Sequence, residues 1–204
     1  MFERLFSSAP NAAAYLIVGL GNPGREYREN RHNVGFMLVD RLCAALGTKI
    51  GKVQSKALMG SGQLDGKKVI LAKPQTYMNL SGQAVSGLMR FYKIPTENLL
   101  VAYDDLDLPL GTIRIRPSGG SAGQKGLGSI IEQMGTNDVS RMRIGIGRPP
   151  GQMDAADYVL QNFSSQEREV LELTLDKAVK AAQVFIEKGL ETAMNQYNGG
   201  IKEG

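Results

Sequence analysis

Hydrophobic and polar positions along the chain alternate between the spacing of strands and the spacing of helices. Residues 15–20, YLIVGL, form a nearly continuous apolar run, and residues 99–103, LLVAY, form another. Short apolar runs of this kind are typical of strands that are buried on both faces. Residues 112–116 and 141–147 alternate apolar and polar side chains instead, so we expect those strands to have one wetter face.

Three segments have the spacing or the end signals of helices. After the first strand, apolar side chains recur at every fourth position and end at a glycine: Val34, Leu38, Leu42, Leu46 and Gly47. A second stripe consists of Ala84, Val85, Leu88 and Phe91. Ser164 and Glu167 have the spacing of a capping box, which predicts a long helix from there to about Gly189.

The order of these elements predicts the fold class. Asp65 and Gly66 separate two strand-like segments, and Asp-Gly is favoured in tight β-hairpins. The resulting order is β-α-β-β-α-β, followed by further strands and helices. It predicts a single α/β domain in which one mixed β-sheet is flanked by helices.

Length and charge narrow the class of protein only slightly. A chain of 204 residues suits one domain with one core. Its net charge of +4 is compatible with a phosphate-rich partner but also with many other partners. The single cysteine, Cys43, lies in an apolar run, so we expect a small buried hydrophobe rather than a nucleophile. We find no membrane span or signal peptide, which makes the cytoplasm the default location.

Polar side chains with chemical potential follow three of the predicted strands. Asn22 comes after the first strand, Asn79 after the strand near residue 70, and an acidic cluster at residues 104–107 after the third. His32, the only histidine, lies at the start of the first helix. Ligands bind beyond the carboxyl ends of parallel strands, and these groups suit general-base hydrolysis. The alternative is that the amides are caps or turn residues and that the carboxylates are solvated.

Other chemistries fit the residues less well. Gly19, Gly21 and Gly24 match the dinucleotide fingerprint of an oxidoreductase, but Pro23 and a long polar segment separate them from the first helix. A zinc site usually needs several histidines or cysteines, and the chain lacks the G-x-S-x-G elbow of many serine hydrolases. We therefore expect neither a nucleotide cofactor nor a metal.

Five motifs in order resemble those of the bacterial-type peptidyl-tRNA hydrolase family. They are VGLGNPGREY with RHNVG, KPQTYMNLSG, DDLDLPLG and RIGIGRP. The resemblance runs from about Tyr15 to Asn198, which leaves a flexible extension at 1–14 and a tail at 199–204 outside a domain at 15–198. It implies a twisted mixed sheet, a monomer without metal or organic cofactor, and hydrolysis of the ester between a peptide and the 3′ ribose of tRNA.

The same resemblance implies roles for individual residues. His32 corresponds to the general base, Asp104 to the residue that orients it, and Asn22 to the amide that recognises the acylated peptide end. The residues that would line the substrate site are Tyr27, Tyr77, Met78 and Asn79.

One segment departs from the family pattern. Where related chains commonly have the sequence GGHNGL, this chain has Gln124 and Lys125 in place of the histidine and asparagine. We expect Lys125 to contact the RNA backbone, because glycines and a helix start surround it. The alternatives are a solvated lysine or one that positions the attacking water. The departure also leaves open a noncatalytic RNA-binding relative, such as the splicing factors related to these enzymes.

Overall fold

A single seven-stranded sheet runs through the computed structural model, which describes residues 13–198. The strands are β1 (Tyr15–Gly19), β2 (Lys52–Gln54), β3 (Ala57–Leu64), β4 (Lys67–Pro74), β5 (Leu99–Asp105), β6 (Ile113–Arg116) and β7 (Arg141–Gly145). Their order in the sheet is β2-β3-β4-β1-β5-β7-β6. The four central strands are parallel, whereas β2, β3 and β6 are antiparallel at the two sides. The predicted mixed α/β sheet is confirmed.

Helices cover both faces of this sheet. They are α1 (Val34–Ala45), α2 (Ser81–Tyr92), α3 (Lys125–Met134), α4 (Ala155–Val159), α5 (Ser165–Lys188) and α6 (Leu190–Tyr197). One apolar cluster joins the sheet to α1, α5 and α6, and a second joins the opposite face to α2 and α3. Within residues 13–198 no helix is long and apolar enough to cross a lipid bilayer.

The central strand β1 is buried on both faces, as its apolar run predicts. Ile17 packs into the cluster under α1 and α5, while Leu16 and Val18 pack into the cluster under α2 and α3. All three side chains are fully buried. Because parallel strands are covered by helices on both sides, the hydrophobic pattern is continuous rather than alternating.

Local signals in the sequence mark the correct turns and helix ends. Asp65 and Gly66 form the two-residue turn between β3 and β4, and both have positive φ, as a type I′ hairpin requires. At the start of α5, the Ser164 hydroxyl accepts the Glu167 N–H and the Glu167 carboxylate accepts the Ser164 N–H. The predicted capping box is therefore confirmed, and the helix ends at Lys188 before Gly189.

Two details of the predicted pattern are wrong. Phe91 is 58% exposed and packs edge-on against Tyr92, although it lies only about 20° around α2 from the buried Ala84, seven positions earlier. On β7 the alternating pattern predicts that Arg141 faces solvent, yet Arg141 is buried. Its guanidinium can be buried because it donates to four backbone carbonyls, those of Gly119, Gly120, Asn137 and Val139.

The predicted terminal segments lie mostly or wholly outside the described residues. This holds for residues 1–12 of the extension and for the tail at 199–204. The two remaining residues of the extension, Ala13 and Ala14, accept hydrogen bonds from the Asn98 side chain through their carbonyls.

Candidate active site

The loops after three neighbouring parallel strands meet at one edge of the sheet. Strands β4, β1 and β5 lie side by side, so their carboxyl ends and the polar residues that follow them are adjacent. A cavity of about 770 Å³ opens at this edge. Its lining includes Asn22, His32, Tyr77, Met78, Asn79, Asp104 and Lys125. The structure therefore brings together all the residues predicted for the site except Tyr27.

An imidazole and a carboxylate form a hydrogen-bonded pair at the floor of this cavity. His32 Nδ1 lies 2.8 Å from Asp104 Oδ2. Asp104 is only 6% exposed and extends from β5, while His32 belongs to a short 3-10 helix, Arg31–Asn33, that leads into α1. Since a carboxylate can only accept, the pair favours the tautomer with the proton on Nδ1 and a free lone pair on Nε2.

Close approach between α1 and the sheet makes this pair possible. A Cβ atom on Gly35 would lie 2.5 Å from both Ala102 O and Leu20 N. A Cβ atom on Gly19 would lie 2.0 Å from Gly35 O. Only glycine allows the two backbones to come this near. The start of α1, and with it His32, is therefore held against the end of β5.

Asn33 is a functional residue that the sequence analysis missed. Its side-chain oxygen accepts the Asn22 N–H and its amide nitrogen donates to the Asn22 carbonyl, each at 2.9 Å. The Asn33 amide thus bonds to both the N–H and the carbonyl of Asn22, as a neighbouring β-strand would. The two bonds hold the Asn22 loop against the segment that carries His32. The sequence signal that could have indicated this role is the position of Asn33, directly after His32 and at the start of a helix.

Arg31 anchors the same segment from the opposite side, and it too was missed. Its buried guanidinium binds both carboxylate oxygens of Glu167, at 2.7 and 2.9 Å, and donates to the Asn162 carbonyl at 2.7 Å. It also lies 4.2 Å from the centre of the Tyr158 ring. Burial alone would raise the pKa of Glu167, but hydrogen bonds from Ser164 and Arg31 outweigh it and lower that pKa.

The other carboxylates of the acidic cluster have different partners. Asp105 binds the Arg143 guanidinium and also accepts the Asp107 N–H at 2.8 Å. Asp107 forms an ion pair with Arg148. The hydrogen bond that Arg143 donates to Asp105 raises the pKa of Arg143. Asp104 is therefore the member of the cluster that serves the imidazole.

The residues after β4 form one wall of the cavity. Tyr77 is 77% exposed and Asn79 is exposed, whereas Met78 is buried and packs beside α3. Tyr103, also in the lining, is buried, and burial raises its pKa to about 12, so its hydroxyl keeps its proton. Tyr27 is half-buried at the end of the short 3-10 helix Arg25–Tyr27, outside the lining.

The glycine-rich segment before α3 completes the rim. Gln124 is the N-cap of α3: its side-chain oxygen accepts the Leu127 N–H at 2.9 Å. Lys125 is the first residue of the helix and is exposed at the cavity. No group of three or more His, Cys, Asp or Glu side chains that could hold a metal ion occurs within residues 13–198.

Comparisons with known proteins agree on one family. The family model described as peptidyl-tRNA hydrolase matches residues 16–203. The peptidyl-tRNA hydrolase of Carboxydothermus hydrogenoformans is 52% identical, over 91% of this chain and 99% of its own length. The chloroplastic peptidyl-tRNA hydrolase of Arabidopsis thaliana is 47% identical, over 94% of this chain and 67% of its own length. A crystal structure of the enzyme from Acinetobacter baumannii matches with a TM-score of 0.86 and 37% identity, covering 94% of this chain and 98% of that one.

Proposed function

The chain belongs to the peptidyl-tRNA hydrolase family and acts on peptidyl-tRNA, and from this premise we propose that His32 is the general base of the hydrolysis. The observation that carries the proposal is the 2.8 Å contact between His32 Nδ1 and Asp104 Oδ2 within the cavity. A buried carboxylate that accepts from Nδ1 leaves Nε2 as the basic atom. Asp104 also stabilises the imidazolium that forms when Nε2 takes up a proton.

The reaction needs one water and one base. Nε2 of His32 takes a proton from a water molecule while the water oxygen attacks the ester carbonyl carbon. The tetrahedral intermediate collapses, the bond between the carbonyl carbon and the 3′ oxygen of the ribose breaks, and the imidazolium returns its proton to that oxygen. The products are a peptide with a free carboxyl group and a tRNA with a free 3′ hydroxyl.

Amide side chains supply hydrogen-bond donors for the negatively charged oxygen of the tetrahedral intermediate. Asn22, held by Asn33, and Asn79, exposed on the β4 wall, are donors that can stabilise the developing oxyanion. Asn22 also recognises the acylated end of the peptide. Tyr77 and Met78 contact the substrate from the same wall, and Tyr27 contributes from outside the present lining.

A noncatalytic RNA-binding function is the second candidate. The feature that favours it is the pair Gln124 and Lys125, which stand where the family resemblance implies histidine and asparagine. The pairing of His32 with Asp104 favours the enzyme, since RNA binding alone does not require a buried carboxylate on an imidazole. We propose that the chain works as a monomer, because one chain supplies the complete cavity, and that it works in the cytoplasm, where its substrate peptidyl-tRNA arises.

The test is the release of tRNA from an N-blocked aminoacyl-tRNA, comparing the native chain with His32→Ala. We expect the variant to lose most hydrolysis, by about 10²-fold or more, because general-base catalysis contributes on this scale. Its tRNA affinity and melting temperature should stay close to native values. Near-native turnover by His32→Ala contradicts the mechanism, and an inactive native chain that still binds tRNA supports the RNA-binding alternative.

A further inference from the structure

We infer that Gln124 is a positioning residue for Asp104, because its side chain caps α3 with one end and donates to the catalytic carboxylate with the other. The inference rests on the proposed function and deepens it. Gln124 stands where the family resemblance implies a histidine, and its neutral amide can donate and accept at the same time.

The cap determines which way the amide of Gln124 points. The group opposite it is the Leu127 N–H, 2.9 Å away, which can only donate. The atom that faces this N–H must therefore be the amide oxygen. The amide nitrogen then faces the other way, towards Asp104 Oδ1 at 3.5 Å and Met78 Sδ at 3.7 Å. The reverse orientation would place two donors together and an oxygen beside a carboxylate.

Close packing keeps the amide in this place. Met78 is buried on one side of Gln124, and a Cβ atom on Gly126 would lie 2.5 Å from Met78 Sδ and 3.1 Å from Gln124 Oε1. A side chain at position 126 would crowd Met78 and the Gln124 amide, and glycine leaves them the space they share.

Asp104 consequently has a donor near each of its oxygens. His32 binds Oδ2 at 2.8 Å, and Gln124 approaches Oδ1 at 3.5 Å. A buried carboxylate with a donor on only one oxygen is freer to rotate about χ2, which is a broad torsion. The Gln124 contact restricts that rotation, and it links the glycine-rich segment before α3 to the orientation of the imidazole.

The other titratable groups around the cavity do not replace this contact. Asp105 and Asp107 bind Arg143 and Arg148, Tyr103 keeps its proton because burial raises its pKa to about 12, and Lys125 and Tyr77 are exposed. Gln124 is the side chain whose amide nitrogen lies 3.5 Å from Asp104 Oδ1, so a change of charge at position 124 acts on the His32–Asp104 pair at short range.

Two variants separate the capping task from the positioning task. Gln124→Ser retains an oxygen that can accept the Leu127 N–H but is too short to reach Asp104. We expect kcat to fall about two-fold, the effect of one long hydrogen bond, with KM nearly unchanged and no loss of melting temperature. Gln124→Glu keeps the cap, removes the donor and adds a negative charge near the pair. We expect the acidic limb of its pH–rate profile to move up by about half to one pH unit.

Gln133 supplies a matched control, since it is exposed on the same helix and outside the cavity lining. Gln133→Glu makes the same charge change and should leave both kcat and the acidic limb in place. If it moves the limb as far as Gln124→Glu does, the effect is a long-range charge effect and the inference is overturned. The inference is also overturned if Gln124→Ser keeps the native kcat and the acidic limb of Gln124→Glu does not move. Gln124 would then only cap α3. The proposed function is judged separately, by the loss of turnover in His32→Ala.

Discussion

His32 and Asp104, on which the proposed chemistry depends, lie 72 positions apart in the chain and meet because neighbouring strands end at the same edge. At this scale the site is a chain of directed contacts. Asn33 holds Asn22, Arg31 holds the segment of His32, and Asp104 holds the imidazole itself. The last of these contacts leaves Nε2 of His32 free for the substrate.

Replacing the carboxylate of Asp104 tests its orienting role. In Asp104→Asn the negative charge that stabilises the imidazolium is lost, so kcat should fall by about 10²-fold or more while KM changes little. The comparison is Asp107→Asn, which breaks an ion pair with Arg148 in the same acidic cluster and should lower kcat far less. A variant with native kcat and a raised KM would indicate that Asp104 contacts the substrate instead.

Lys125 is expected to contact an RNA phosphate, because it is an exposed cation at the cavity rim and begins α3. Lys125→Ala should weaken tRNA binding at low salt and reduce the salt slope by about one unit or less. Lys180→Ala, which removes an exposed lysine from α5 on the other face of the sheet, serves as the control. Equal binding by native protein and Lys125→Ala at every salt concentration would refute the contact. Lower turnover with unchanged binding would indicate that Lys125 positions the water.

At the scale of elements, the geometry of the site depends on how closely α1 approaches β1 and β5. Gly19 and Gly35 permit the contact, and Leu20 N–H donates to Ala102 O across the same place. The short 3-10 helix with His32 therefore begins directly above the carboxyl end of β5. The side chain reaches Asp104 because the two glycines let the helix begin this close to the strand.

The replacement Gly35→Ala tests this approach. Its Cβ would meet backbone atoms of Leu20 and Ala102 at 2.5 Å, and these cannot move without displacing a strand. We expect a loss of about 1–3 kcal/mol in the free energy of unfolding and a marked fall in kcat. Gly51→Ala is the matched control, since a Cβ atom there has no neighbour within 4 Å. Native stability and activity in Gly35→Ala would show that the close approach is not needed.

At the scale of the whole molecule, the cavity draws on both helical layers. His32 precedes α1 on one face, Gln124 and Met78 lie with α3 on the other, and the carboxylate comes from the sheet between them. Arg31 connects the segment of His32 to the start of α5 through its ion pair with Glu167. The stability of the fold and the position of the base are therefore coupled through one ion pair.

The lowered pKa of Glu167 makes part of the stability depend on pH. The pKa of this carboxyl group is lower in the folded protein than its unfolded value of 4.5. Its contribution to the free energy of unfolding is therefore present above about pH 4.5. It is lost as the pH falls through the folded value. Glu167→Gln should lower the free energy of unfolding at pH 7 by about 1–3 kcal/mol, and the difference from the native protein should shrink on acidification.

Glu169→Gln is the control for this measurement, because Glu169 is exposed on the same helix. Denaturant unfolding followed from pH 7 to pH 3 distinguishes the two variants. A constant difference between Glu167→Gln and the native chain over that range would mean that the ion pair does not account for the pH dependence.

Much of this molecule follows from the sequence by itself. Periodicity places β1 and α1, the capping box places α5, turn chemistry places the Asp65-Gly66 hairpin, and the strands end where polar residues begin. These features depend on neighbours in the chain, and the hydrophobic effect acts on each segment according to its own pattern. The order of the motifs points to the family, and the comparisons confirm it.

Only the tertiary structure decides which polar groups meet. The burial of Arg141 depends on carbonyls as distant as Gly119, and Phe91 is exposed although its spacing from Ala84 matches the buried stripe of α2. The clamp of Asn33 on Asn22 and the two-ended contact of Gln124 likewise join residues from different loops. Hydrogen bonds are short-ranged and directional, so a pattern along the chain cannot specify them. They are determined when the packing of α1 and α3 against the sheet sets the distances between those loops.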